Sequence, residues 1–139
     1  MTQKGAIIRQ EHFNSAHRLH NKAWSDEVNH EVFGKCNNPN FHGHNYKLEV
    51  RVVGEIDENT GFVIDIKDLK EIIKIEILDK YDHKNLNLDV EDFKEINPTA
   101  ENIARIIYNN LRKVISKELE LNIKVYETER NIAEYPARK

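Results

Sequence analysis

One segment of the chain, Cys36-Asn-Asn-Pro-Asn-Phe-His42-Gly-His44, concentrates side chains that could bind a metal or move a proton. His42 and His44 are two residues apart, and alternate side chains of a strand point to the same face. Two neutral imidazoles on one face can bind a single metal ion. Cys36, the single cysteine of the chain, could be a further ligand, a nucleophile or a proton acceptor. Which of these roles it has decides whether the protein is an enzyme.

A third imidazole is expected from the neighbouring strand, because His17 lies just past the end of the first predicted strand. Three imidazoles that leave a fourth position open to substrate are typical of catalytic zinc, whereas a site closed by Cys36 would be structural. A buried thiol acting as a small hydrophobic residue is the usual fate of a free cysteine. The polar neighbours of Cys36 argue against that fate, and nearby cations such as Lys35 favour the thiolate.

Three more ionisable residues stand at positions where chemistry is conceivable. Asp82 and His83 are adjacent and could orient one another in a proton relay. Their spacing also fits a loop in which Asp82 only caps backbone amides, and this is the favoured interpretation from spacing alone. Glu127 alternates with apolar residues, so its carboxylate would need a partner such as an ion pair, or a ligand with adjacent N–H donors like a pterin or guanine.

The elements that must position these residues follow the order ββααββ. Strands are predicted at residues 6–13, 44–53, 123–128 and 132–135, and the alternating pattern of the second predicts a half-buried antiparallel strand. A short helix in the connection between the first two strands is predicted to be capped by Ser25 and to have an apolar side formed by Val28, Val32 and Phe33. One long helix is predicted from Asp65, and its apolar stripe comprises Ile66, Leu69, Ile72, Ile73 and Ile77. Another is predicted after the N-cap Thr99, with Glu101 favourably placed in its first turn, and its core-facing residues are Ile103, Ile107, Leu111, Val114 and Ile115. Two helices cover one face of a four-stranded antiparallel sheet, so the fold class is α+β. The uncovered face and the strand edges predict self-association.

The composition of the chain limits its domain number, its partners and its location. A chain of 139 residues, 39% hydrophobic and 32% charged, predicts one domain over residues 1–139. A net charge of −3 argues against nucleic acid as a partner. No apolar run approaches the roughly 20 residues that span a bilayer, and the first residues lack an apolar signal core. A lone thiol suits a reducing compartment, so a cytoplasmic location is expected.

Several segments together resemble the 6-pyruvoyltetrahydropterin synthase family. In family order they are Phe13-Asn-Ser-Ala-His17-Arg-Leu, Phe33-Gly-Lys-Cys36-Asn-Asn-Pro-Asn-Phe-His42-Gly-His44-Asn-Tyr46, Gly54-Glu-Ile-Asp, Asp82-His83-Lys-Asn-Leu, Thr99-Ala-Glu101-Asn and Val125-Tyr-Glu127-Thr. They extend from about Phe13 to Tyr135, and their combination is highly specific.

The resemblance implies a role for each matching residue. It implies that three histidines bind Zn²⁺, namely His17, His42 and His44. It further implies that Cys36 is the proton acceptor and that His83, with Asp82, forms the relay that tunes the thiol. Glu127 resembles the glutamate that anchors the pterin ring and joins the relay, and Thr99 and Glu101 match contacts on the pterin side.

The resemblance also implies a fold, an assembly and a substrate. The family has the tunnelling fold, in which ββααββ subunits join their sheets into a trimeric barrel, and two trimers usually stack with active sites at the subunit interfaces. The implied substrate is 7,8-dihydroneopterin triphosphate, converted by a zinc-dependent lyase to 6-pyruvoyltetrahydropterin in tetrahydrobiopterin-type biosynthesis.

Two alternatives stay open. Relatives that make 6-carboxytetrahydropterin for queuosine and other deazapurines use the same substrate and also release acetaldehyde. Gly61-Phe-Val-Ile-Asp65 and Asn97-Pro98-Thr99 resemble that branch, whereas the five residues between Cys36 and His42 resemble the pyruvoyl enzymes, which are favoured. The remote alternative is a non-catalytic, zinc-stabilised assembly module in which Cys36 closes the site.

Overall fold

The computed structural model describes residues 3–138 and contains one sheet with helices packed against it. The strands are β1 (Lys4–His17), β2 (His42–Glu55), β3 (Lys84–Asn85), β4 (Glu120–Tyr126) and β5 (Ile132–Tyr135). The helices are α1 (Asp26–Phe33), α2 (Ile66–Ile73), α3 (Asp79–Tyr81), α4 (Leu86–Asp89) and α5 (Ala100–Arg112). A π-helical turn, Lys74–Leu78, joins α2 to α3, and 3₁₀ turns occupy Gly34–Asn37 and Glu91–Phe93.

The sheet has five strands in the order β3-β1-β2-β4-β5, so the prediction of four antiparallel strands was wrong in one respect. The additional strand, β3, pairs in parallel with β1 at Ser15 and Ala16, whereas the other pairs are antiparallel. A strand of two residues is too short to show the alternation from which strands are predicted. The α+β class and the ββααββ frame of long elements are confirmed.

The β1–β2 hairpin is longer at both ends than its sequence pattern indicates. Its ladder pairs Lys4 with Glu55 at one end and His17 with His42 at the other. The polar residues at these ends obscure the apolar alternation that marks the middle of each strand. The consequence is that the predicted metal-binding residues belong to the ladder itself.

The core lies between one face of the sheet and the helices. On β2 the inward residues Tyr46, Leu48, Val50 and Val52 are fully buried. Buried residues of the covering helices share this core, namely Leu69, Ile73, Ile103, Ile107 and Leu111. The apolar stripes predicted for α2 and α5 were too wide by one residue each, because Ile66 is 51% exposed and Val114 is 47% exposed.

Side-chain caps define where the helices begin. Ser25 accepts a hydrogen bond from the Val28 amide, as predicted for α1. Asp65 caps α2 from outside, so that helix begins at Ile66 rather than at Asp65. The predicted apolar side of α1 is not buried. Val28 is exposed, and the inward side chain is Asn29, which binds the backbone of the preceding loop.

Across residues 3–138, no helix combines the length and the apolar character needed to cross a membrane.

Candidate active site

Three imidazoles meet at the end of the β1–β2 ladder. His17 stands directly opposite His42, and His44 follows two residues later on the same face of β2. One nitrogen from each ring lies within 4.8 Å of the others, and the Nε2 atoms of His17 and His42 are 3.1 Å apart. The structure therefore brings together the three residues that the sequence indicated as metal ligands.

The ring of His17 is fixed by the segment before α5. Its Nδ1 lies 2.8 Å from the carbonyl oxygen of Pro98. A carbonyl only accepts hydrogen bonds, so Nδ1 carries the hydrogen and Nε2 presents a lone pair. Burial lowers the pKa of His17 to about 4, and burial together with the neighbouring His44 lowers the pKa of His42. Both imidazoles are thus neutral at pH 7, the form that binds a metal.

Two further nitrogens of the cluster support a metal-binding role. Among the described residues, Nδ1 of His42 and Nε2 of His44 are buried and have no hydrogen-bond partner. Buried polar atoms without partners are costly, and a bound cation would satisfy the lone pair of one nitrogen in each ring. Three convergent imidazole nitrogens fit a divalent metal with nitrogen preference.

Tyr46 contacts His17 of the imidazole cluster, and the sequence analysis did not predict this contact. Its hydroxyl oxygen lies 3.2 Å from Nδ1 of His17, and its ring stacks on Phe13 at 5.0 Å between centroids. Burial, followed by the charge of Glu127, raises the pKa of Tyr46, so the phenol stays protonated. The His-x-His-x-Tyr alternation, which places Tyr46 on the face of His44, could have predicted this contact.

Cys36 lies in the 3₁₀ turn Gly34–Asn37 and is partly exposed. The turn is tied to the end of β1, because Leu19 N–H donates to the Cys36 carbonyl at 2.8 Å and Arg18 Nε donates to the Asn37 carbonyl at 3.0 Å. The expectation that cations favour the thiolate was wrong for this chain. Burial, followed by the negative charge of Glu127, raises the pKa of the Cys36 thiol, and Lys35 points to solvent.

Glu127 lies one residue beyond β4 instead of within a strand as predicted. Its backbone N–H donates to the Asn131 carbonyl at 3.0 Å, which closes the β4–β5 turn. Its Oε1 lies 3.9 Å from Nε2 of His44, and its charge acts on the Cys36 thiol. The carboxylate, the imidazoles and the thiol therefore share one site.

Asp82 and His83 form a pair at the outer edge of β1. His83 Nδ1 lies 3.1 Å from Asp82 Oδ2, and the His83 side chain is 84% exposed. Asn14 anchors the pair, since its N–H donates to Asp82 Oδ1 at 2.8 Å and its carbonyl accepts from His83 N–H at 2.6 Å. The Asn14 amide holds the Asp82 pKa below its usual range. Within residues 3–138, no hydrogen bond or ion pair joins this pair to Cys36.

The two residues expected on the pterin side have visible structural roles. Thr99 caps α5, because its Oγ1 accepts from the Asn102 amide at 3.1 Å. Glu101 is exposed in the first turn of α5, where its charge favours the helix dipole. Pro98, which contacts His17, directly precedes this cap, so the helix start borders the site.

Comparison with known proteins finds relatives that match nearly the whole chain. The family model described as 6-pyruvoyl tetrahydropterin synthase matches residues 6–138. The 6-pyruvoyl tetrahydrobiopterin synthase of Homo sapiens is 48% identical over 129 residues, which cover 93% of this chain and 89% of that protein. The solved structure of the Caenorhabditis elegans 6-pyruvoyl tetrahydropterin synthase matches with a TM-score of 0.92 and 40% identity, covering 99% and 98% of the two chains.

Another relative matches over a shorter part of the chain. A putative 6-carboxy-5,6,7,8-tetrahydropterin synthase of Archaeoglobus fulgidus is 40% identical over 82 residues, which is 59% of this chain and 65% of that protein. This shared region is shorter than the one shared with the human protein. By its sequence, its fold and the residues gathered at the end of the β1–β2 ladder, the chain belongs to the 6-pyruvoyl tetrahydropterin synthase family.

Proposed function

We propose that the protein converts 7,8-dihydroneopterin triphosphate to 6-pyruvoyltetrahydropterin and releases triphosphate. The observation that carries this proposal is that the metal-binding cluster does not include the thiol. His17, His42 and His44 could hold a metal ion without Cys36, so the cysteine would be free for proton transfer, and a site with three nitrogen ligands would leave room for substrate.

The metal proposed for the three imidazoles is Zn²⁺, which as a Lewis acid would acidify the C–H bonds beside the substrate hydroxyls. Nitrogen ligands suit this ion. The contact from Pro98 orients the ring of His17, as partners of metal-binding imidazoles generally do.

Cys36 would take and return protons at the side-chain carbons, and Glu127 would accept hydrogen bonds from the adjacent N–H groups of the pterin. Glu127 lies close enough to the imidazoles to do this, at 3.9 Å from His44. The side-chain hydroxyls become carbonyls while the ring gains the electrons, so the redox change is internal to the substrate.

Asp82 and His83 would complete the relay in an assembled oligomer, a trimer or a dimer of trimers. Two observations support contact with a second copy of the chain. The His83 side chain is exposed at the edge of β1, and β3 covers only Ser15 and Ala16 along that edge. An uncovered strand edge is a natural site for pairing with another chain.

One variant tests the proposal. Cys36→Ala, loaded with Zn²⁺, should keep its metal and lose nearly all release of triphosphate from 7,8-dihydroneopterin triphosphate. His12→Ala, on the exposed face of β1, is the matched control and should keep both. Normal turnover by Cys36→Ala would remove the proposed proton acceptor, and loss of metal would instead support a closed, non-catalytic zinc module.

A second candidate product, 6-carboxytetrahydropterin, is favoured by the Gly61-Phe-Val-Ile-Asp65 and Asn97-Pro98-Thr99 segments. It would arise from the same substrate with loss of acetaldehyde. Mass analysis of the reaction mixture separates the two, because a pyruvoyl side chain keeps the carbons that the carboxylate product loses. Acetaldehyde formed in equal amount to triphosphate would overturn the pyruvoyl assignment.

A further inference from the structure

A cavity of about 620 Å³ opens at the end of the β1–β2 ladder. Its volume falls within the range of about 300–1,000 Å³ that is usual for small-molecule pockets. Arg18, Lys22 and Lys94 bring three cationic side chains to its lining, His20 brings an imidazole, and Glu95 is the one acidic residue among those that line it. The balance of charge favours an anionic occupant.

The cavity adjoins the metal-binding cluster, because two residues that line it are sequence neighbours of the histidines. Arg18 directly follows His17 and Phe41 directly precedes His42, and both line the cavity. His17 and His42 form the last pair of the ladder. The cavity therefore begins where the strands end, one residue beyond two of the three imidazoles.

The strand register orders the parts of the site along one line. Tyr126 pairs with Lys47, so Glu127 comes level with Tyr46. Passing along β2 from Tyr46 to His42 covers four residues, or about 13 Å at roughly 3.3 Å each. The acidic anchor, the imidazoles and the cationic cavity thus follow one another in that order. A ligand with a ring at Glu127 and a chain that passes the imidazoles would carry its far end into the cavity.

Two donors of the cavity are oriented by Asn37, the residue after Cys36. Arg18 Nε donates to the Asn37 carbonyl at 3.0 Å, and its two terminal amino groups have no hydrogen-bond partner within the described part of the chain. The Asn37 side-chain amide donates to Nδ1 of His20 at 2.9 Å. An amide nitrogen can only donate, so Nδ1 of His20 accepts and the ring presents a hydrogen on Nε2. Both groups are prepared to donate to an anion.

We propose that this cavity binds the triphosphate of the substrate and stabilises it as it leaves. The inference rests on the proposed function, because it is the pterin triphosphate that joins a ring, a hydroxylated side chain and a polyanion in this order. As the carbon–oxygen bond breaks, its electron pair stays with the triphosphate and increases the negative charge there. The guanidinium of Arg18 and the ammonium groups of Lys22 and Lys94 would stabilise that charge.

Direct binding tests the cavity without turnover. Inorganic tripolyphosphate is titrated calorimetrically into zinc-loaded protein, and the zinc content is measured after each titration because the probe also chelates zinc. Arg18→Gln and the double variant Lys22→Gln/Lys94→Gln should each bind the probe about tenfold more weakly. Lys70→Gln, at an exposed position of α2, removes one positive charge, as Arg18→Gln does. It should bind the probe as the wild type does.

Kinetics separate the cavity from the rest of the site. The double variant should raise KM for the triphosphate substrate about tenfold, while the inhibition constant of 7,8-dihydroneopterin, which lacks the triphosphate, stays unchanged. Both lysines are exposed, and the variant loses the surface hydrogen bond from Lys94 Nζ to the Leu88 carbonyl, so it should keep the fold even if Arg18→Gln disturbs the Asn37 contact. Tripolyphosphate binding equal to that of wild type, or an equal change for 7,8-dihydroneopterin, overturns the proposal. If the wild-type protein shows no turnover but the variants bind tripolyphosphate more weakly than it does, the proposed function is overturned and the anion-binding role of the cavity is supported.

Discussion

The Nε2 atoms of His17 and His42 lie 3.1 Å apart, and the two residues face each other as the last pair of a ladder that runs the full length of β1 and β2. Their separation depends on strand pairing rather than on a flexible loop. A metal-binding geometry built on paired strands is more rigid than one built on loops. This relationship leads to the first prediction.

Replacing His42 with Ala should abolish stable zinc binding. The variant loses one of three convergent nitrogens, and its affinity should fall by more than about 100-fold, since loss of an outer partner alone costs about 10- to 100-fold. Zinc content after dialysis against a chelator gives the measurement. His12→Ala, on the opposite face of the hairpin, serves as the control, and retention of stoichiometric zinc by His42→Ala contradicts the assignment.

Tyr46→Phe should weaken zinc binding about tenfold while the fold is kept. The change removes the hydroxyl that lies 3.2 Å from Nδ1 of His17 but preserves the ring stacked on Phe13. The free energy of unfolding should fall by about 0.5–1.5 kcal/mol. Competition with a chromophoric chelator measures the affinity. Tyr126→Phe, which loses a bond to Glu49 on the other face, should bind zinc normally, and an equal loss there would show that the effect is not specific.

Glu127→Gln should make the thiol of the metal-free protein more acidic. The negative charge of Glu127 is one of two causes that raise the pKa of Cys36, burial being the larger. Removing that charge lowers the pKa, so more thiolate is present at pH 8 and alkylation by iodoacetamide should be several-fold faster. The signal is unambiguous, because the chain has one cysteine. Glu129→Gln, in the exposed turn nearby, should react at the wild-type rate; an unchanged rate in Glu127→Gln sinks the prediction.

The metal-free protein should lose stability as pH falls from 7 to 5. Burial lowers the pKa of His17 from 6.5 to about 4, so between these values the unfolded chain binds more protons than the folded one. The free energy of unfolding therefore decreases with falling pH, by on the order of 2 kcal/mol over this range. Urea denaturation at both pH values measures the loss. His17→Gln should remove much of the difference, and the same slope in both proteins would contradict the assignment.

Thr99 can be tested as a cap and as a substrate contact in one pair of variants. Thr99→Ala removes the oxygen that accepts from Asn102 and should cost about 1 kcal/mol of stability. Thr99→Ser keeps the oxygen and should restore that stability. If Thr99 is only a cap, KM for the pterin substrate is the same in both variants. A raised KM in Thr99→Ala under conditions where it is fully folded would show a substrate contact instead.

The sequence predicted the middle of each long strand, the caps at Ser25 and Thr99, and the histidine cluster. These features depend on local patterns, namely strict alternation, a capping side chain and two imidazoles on one face. The ends of β1 and β2 could not be predicted, because polar residues at His42 and His17 hide the alternation there. The parallel strand β3 pairs with residues far away in the chain, and no local pattern records such a contact.

The sequence predicted which residues form the candidate site, but it did not predict which charges act on them. The sequence placed Lys35 beside Cys36, yet the charge that acts on the thiol comes from Glu127, which is distant in sequence and close in space. The same limit applies to Asp82 and His83. They are adjacent in the chain, but their place at the edge of β1 depends on Asn14, a contact that only the folded chain reveals.

The full-length pairing of β1 with β2 makes the imidazole cluster a test of correct folding. A slip of one residue would turn either His17 or the His42–His44 pair to the opposite face of the sheet. Only the native register lets all three nitrogens reach one ion. Zinc added during refolding would therefore bind correctly aligned hairpins and draw the population toward them by mass action. The three side chains that form the metal site would then also favour the native strand register during folding.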